Sequence, residues 1–229
     1  RTVWFLGFGL NNLLSVFYFF ALKAMSSAEV GATMGLNILF SAAFSALLLG
    51  EPLSKRVVTG SGAMVAFIAL ANLSAPPYAQ AAEPSMALIS AFFAAPYALV
   101  GLAVGARRFL GLQGDAYAMA FAAAAGALEG FIIVLIKAMQ ATHGNDILRY
   151  AATPYLYMYL ASSASLIAFM QVAYAHGRMT KAGPVLWGMQ IVYPVVIAYA
   201  AFGAALVPAQ ALAFTGILAC VVVIQSKRY

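Results

Sequence analysis

The chain has 229 residues, of which 65% are hydrophobic and 8% charged, with a mean hydropathy of +0.94. A soluble domain carries roughly a quarter of its residues as charges, so this composition excludes one and places the chain in lipid. The net charge of +6 does not indicate nucleic acid, because the basic residues lie as singles and pairs and form no continuous patch; anionic lipid headgroups are their expected partner.

Eight apolar stretches follow one another at roughly 3–23, 30–49, 57–74, 86–106, 117–137, 153–175, 182–203 and 208–226. Each is near the ~20 residues that cross a bilayer core. The first carries Asn11 and Asn12 near its middle and no small-residue cleavage site after it, so it reads as a span and not as a signal peptide. In the second, Asn37, Ser41 and Ser45 recur at i, i+4 and i+8, close to one face of a helix. The third opens at Gly60-Ser61-Gly62, just after Glu51, Lys55 and Arg56. The fourth contains Gly101 and Gly105 and ends at Arg107-Arg108, and the fifth carries Glu129 between Gly126 and Gly130 and ends at Lys137.

Tyr150, Tyr155, Tyr157 and Tyr159 surround the start of the sixth stretch as an interfacial aromatic belt would, and Gln171 and His176 approach its other end. The seventh gathers Gln190, Tyr193, Pro194 and Tyr199, and the eighth holds Cys220, which is either lipid-facing or packed. A single cysteine excludes an intramolecular disulfide and a cysteine metal cluster.

Nine of the twelve Lys and Arg residues fall in alternate gaps: Arg1, Lys55, Arg56, Arg107, Arg108, Arg178, Lys181, Lys227 and Arg228. The positive-inside bias makes that side cytoplasmic, or its equivalent in an organelle, and puts both ends of the chain there. The gaps at 75–85 and 138–152 are loop-sized, so residues 1–229 read as one polytopic membrane domain. Three Gly-x-x-x-Gly spacings, at Gly31/Gly35, Gly101/Gly105 and Gly126/Gly130, let helix backbones approach closely.

An internal repeat adds to this pattern. Ala21 through Gly50-Glu51-Pro52 to Gly62 aligns with Ala173 through Gly203-Ala204-Ala205 to Gly216, with Gly31 meeting Gly183 and Ala46 meeting Ala198. The copies occupy spans one to three and six to eight, and an offset of five spans is odd, so they enter the membrane from opposite faces. That is the inverted-repeat architecture of secondary transporters, whose site lies near the midplane. Residues 1–74 are then the last three helices of one five-helix unit and 86–229 the five helices of the other, so this chain lacks the first two helices of a ten-helix fold.

The run Ala-Leu-Lys-Ala-Met-Ser-Ser-Ala at 21–28, Leu-Leu-Leu-Gly-Glu-Pro-Leu at 47–53 and Gly60-Ser61-Gly62 resemble the third to fifth helices of the drug/metabolite transporter repeat. The chain more closely resembles that superfamily's NIPA-type magnesium transporters, on Ser74-Ala75-Pro76, Gly114-Asp115-Ala116-Tyr117 through Lys137, and Gln171-Val172-Ala173-Tyr174 followed by Gly183-Pro184. Where that family carries Gly-Glu and then Asn in an early helix, this chain offers Asn11, Asn12 and Ser15, and the family's Asn residues near Gln-x-x-Tyr fall on Ala173 and His176. A carboxylate is thereby lost from the family pattern.

Glu129 is the one carboxylate near the middle of a span. An ionisable group there costs about 2.5 to 3.5 kcal/mol, so it faces a cavity or a partner. It reads either as a midplane cation or proton site, and the one metal-ligand candidate, or as a hydrogen-bonded carboxyl that fixes packing. Asn11, Asn12, Asn37, Gln171, Gln190 and Tyr193 are the accompanying candidates for a substrate or ion pathway, and interhelical hydrogen bonding is the alternative for each. Lys137, eight residues beyond Glu129 and ~12 Å along the helix, cannot pair with it and is expected to snorkel to the interface.

No metal-ligand cluster, phosphate loop or nucleophile with a suitably spaced base is present, so neither an enzyme nor a cofactor is expected. The resemblance implies a carrier for Mg²⁺ or a small metabolite. The alternative is a transport-inactive subunit of a larger membrane assembly, with other membrane subunits as partners.

Overall fold

The computed structural model describes residues 13, 16–36, 40, 55–74, 84–144, 146–177, 179–203 and 207–225. Residues 16–24 are helical. They are followed by α1 (Ser27–Thr33), α2 (Lys55–Leu73), α3 (Met86–Leu110), α4 (Gly114–His143), the single turn α5 (Ile147–Tyr150), α6 (Pro154–His176), α7 (Met179–Ala201) and α8 (Pro208–Gln225). Among these, α3, α4 and α6 are long and apolar enough to cross a membrane, while Val58–Leu73, Val185–Ala201 and Pro208–Val223 are shorter apolar segments. Helices suit such a composition because they satisfy every backbone polar group internally where no water can. The chain is a membrane-embedded α-helical protein. Most of the first two apolar stretches lies outside the described residues.

Local chemistry sets the ends. Ser26 starts α1 through a capping box: its hydroxyl accepts from the Glu29 N–H at 3.3 Å, and its own N–H donates to the Glu29 carboxylate at 2.6 Å. Gly111 stops α3 by taking φ 71°, a conformation that costs glycine nothing, and its N–H returns to the Ala106 carbonyl. Pro154 opens α6 at a position where a missing N–H is harmless.

α4 is the axis of the bundle, with 19 of its 30 residues buried. α3 buries only Ile89, Pro96 and Ala103 against it, and α6 only Tyr155, Ser162 and Ala173. Paired contacts give the directions. Arg107 over Tyr117 and Phe93 beside Phe131 make α3 antiparallel to α4. Gly177 over Ala118 and Phe169 beside Phe121 do the same for α6 and α4.

α1 packs antiparallel on α7, with Gly31 at Pro194 and Met34 at Gln190. α2 packs antiparallel on α8, with Phe67 at Gly216 and the Ala71 carbonyl accepting from Gln210 Nε2 at 3.4 Å. Cys220 is buried in this second core, among Met64, Ile68, Ile217 and Val221. It is therefore packed.

The tyrosine belt is only partly realised. Tyr157 is 62% exposed, but Tyr150 and Tyr155 turn into the core around α4, where their rings replace lipid with protein.

Candidate functional site

Among the described glycines the closest approach to another backbone is at the crossing of α4 and α7. A Cβ on Gly126 would lie 2.1 Å from the Leu186 carbonyl oxygen, and one on Gly130 would lie 2.7 Å from the Gln190 oxygen and 2.6 Å from Pro194 Cδ. No side chain fits at either position. Equal steps of four residues on both helices make them run parallel here. The Pro194 ring is also met from the other side of the chain order by Gly31 of α1, whose Cβ would come within 2.5 Å of Pro194 Cγ. Pro194 has no N–H for the Gln190 carbonyl, and Gly130 closes over that freed oxygen.

A second proline acts through a different partner. Pro96 inside α3 leaves the Phe92 carbonyl without its usual donor four residues on, and the Tyr193 hydroxyl donates to that oxygen. The rings of Phe92 and Tyr193 meet edge to face at 5.8 Å, and Phe131 lies 6.3 Å from Tyr193. Tyr193, expected on a pathway, is buried and serves this join between α7 and α3.

Gln190 is fully buried; its Nε2 donates to Met34 Sδ at 3.4 Å, and among the described residues its Oε1 has no hydrogen-bond partner. Glu129 lies half-buried between Gly126 and Gly130. Gln171 sits on an exposed face of α6, away from these groups. Asn11, Asn12 and Asn37 lie outside the described residues. The fold therefore sets Gln190 and Tyr193 beside the turn of α4 that carries Glu129 and leaves Gln171 on an exposed face.

Beside this crossing is a recess of about 270 Å³, walled by Tyr18, Met25, Val30, Thr33 and Met34, among others. Met34, in its wall, joins it to Gln190. Its lining is almost entirely apolar. Among the described residues no three His, Cys, Asp or Glu side chains converge on a point. Glu129 thus offers one carboxylate to a cation, and a magnesium ion would need its other oxygen ligands from water, amides or backbone.

Lys137 departs from expectation. It does not reach the interface; it is only 4% exposed, and its ammonium donates to the Leu22 carbonyl and, at 3.1 Å, to the Met25 carbonyl. One turn on, Gln140 Nε2 donates to the Phe19 carbonyl at 2.6 Å. Carbonyls at a helix C-terminus lack intrahelical donors and carry the negative end of the dipole, so a cation at Leu22 and Met25 is well placed. Sequence alone showed a lysine near a span end, where snorkelling is the ordinary outcome; the acceptors belong to a distant segment and leave no mark on the local pattern.

Past the end of α4, the buried Tyr150 hydroxyl donates to the Gly144 carbonyl at 2.5 Å. Burial first and the Asp146 carboxylate second push its pKa up, which keeps it a donor. No protein-family profile, curated protein or solved structure matches the chain.

Proposed function

We propose that the chain is a membrane carrier of the drug/metabolite transporter kind, similar to the NIPA branch, which moves a small metabolite or Mg²⁺ by alternating access. The observation that carries this reading is the antiparallel seating of α1 on α7 and of α2 on α8. These are the segments that the inverted repeat makes equivalent, and a two-fold axis in the membrane plane brings equivalents together running in opposite directions. Glu129, Gln190 and Tyr193 then lie where the two halves meet. The apolar walls of the recess favour the metabolite, since hydrated Mg²⁺ would find no carboxylate among the described residues that line it.

Uptake of Mg²⁺ and of a metabolite panel into proteoliposomes tests the reading. Saturable uptake of one cargo, lost in Glu129→Gln, is the expected outcome; absence of uptake for every cargo under an imposed ion gradient overturns it.

A second reading, a transport-inactive subunit of a larger membrane assembly, is favoured by the outward faces of α3 and α6, of which only three residues each are buried. It predicts stoichiometric co-purification with other membrane proteins from the native membrane and no uptake.

A further inference from the structure

We propose that the end of α3 is a binding site for an anionic glycerophospholipid, its phosphate held by Arg107 and Arg108 and one acyl chain lying along the adjoining open face of the helix. The three buried residues of α3, Ile89, Pro96 and Ala103, are spaced seven apart, and Phe92, Phe93 and Tyr97 pack beside them on α7, α4 and α6, so one side of the helix faces the bundle. On the open side Ala94, Ala98, Gly101 and Gly105 fall within about 60° of one another, and Arg108 completes the row at its end. A Cβ on Gly101 or Gly105 would meet nothing within 4 Å, so the floor of this face is shallow and unfilled. Leu102 and Phe109, 72% and 80% exposed, stand along it as a wall. From Ala94 to Arg108 the row runs ~21 Å along the axis, enough for the ~15 Å depth of one leaflet's hydrocarbon.

The charge at the end of this row identifies the occupant. The Arg107 guanidinium lies 4.7 Å from the centre of the Tyr117 ring, and the residue is exposed at the end of the helix. Arg108 lies 5.9 Å from the Phe109 ring. Among the described residues no carboxylate pairs with either guanidinium; Asp146 pairs with Arg149, at α5. A phosphodiester offers the two planar acceptor oxygens that a guanidinium fork matches. Neutral lipids lack the net charge, and a free anion lacks the chain that would use the open face, so an anionic phospholipid satisfies both features.

The test measures lipid retained by the full chain in detergent, by native mass spectrometry, with dioleoyl-phosphatidylglycerol, dioleoyl-phosphatidylcholine, dihexanoyl-phosphatidylglycerol and inorganic phosphate as probes. The wild type should retain the long-chain anionic lipid over the choline lipid, and R107Q/R108Q should lower that retention roughly thirtyfold. Gly101→Leu should weaken the dioleoyl lipid and leave the dihexanoyl lipid unchanged, and Arg149→Gln should change neither. Equal retention of the anionic and choline lipids by the wild type overturns the proposal without any variant being needed. So does an equal loss in Arg149→Gln, which would mean general charge attraction, or displacement of the lipid by inorganic phosphate, which would mean a site for free anions.

Discussion

α3 and α4 are both long apolar helices, each with a proline or glycine motif near its middle, and they live in opposite surroundings. α4 buries 19 of 30 residues and α3 buries 3 of 25. Each carries one Gly-x-x-x-Gly spacing, yet only Gly126/Gly130 is pressed against another backbone; Gly101/Gly105 faces open space. Hydropathy cannot separate these cases, because a helix in lipid is apolar whether its neighbour is lipid or protein. What separates them is where the polar residues stand: α4 carries Glu129, Lys137 and Gln140 well inside its length, where each needs a protein environment, whereas Arg107 and Arg108 of α3 stand in its last turn.

That difference is open to breakage. Gly126→Leu, which drives a side chain into the Leu186 carbonyl, should cost about 3 kcal/mol or more and remove the monodisperse peak in size-exclusion chromatography. Lys137→Met leaves the Leu22 and Met25 carbonyls without their donor and should cost about 2 to 4 kcal/mol, read as a lowered midpoint in thermal unfolding. Tyr193→Phe strips the donor from the Phe92 carbonyl and should cost about 1 to 2 kcal/mol. In a Pro96→Ala background, which restores a backbone N–H to that carbonyl, the same substitution should cost measurably less; an unchanged cost in this double-mutant cycle would show that the hydroxyl acts elsewhere. Gly101→Leu should leave the unfolding free energy within about 0.5 kcal/mol of wild type, the smallest effect of the set.

Much of the helix layout is legible in the sequence. The sixth and eighth stretches, read at 153–175 and 208–226, match Pro154–His176 and Pro208–Gln225 to within a residue, because Pro154 and Pro208 mark the starts. The fifth was read at 117–137 and extends over Gly114–His143, because Lys137 and Gln140 continue inside the bundle where a hydropathy profile expects a surface. Gln190 and Tyr193 stood out as polar residues in an apolar run, and both are buried at the α4–α7 crossing or beside it. Their partners were not legible, since Met34 and the Phe92 carbonyl are 156 and 101 residues away in the chain. One signal was available: Pro96 announces a vacant acceptor at residue 92 and asks for a donor from a neighbouring helix.

The Lys137 clamp also bears on the order in which the protein is made. Its acceptors, at Leu22 and Met25, lie more than a hundred residues upstream, so the ribosome delivers them well before the ammonium reaches the bilayer. Biosynthesis thereby meets an awkward charge with a dock already in place, and a permuted gene that placed α4 first would ask the translocon to release a bare cation into oil.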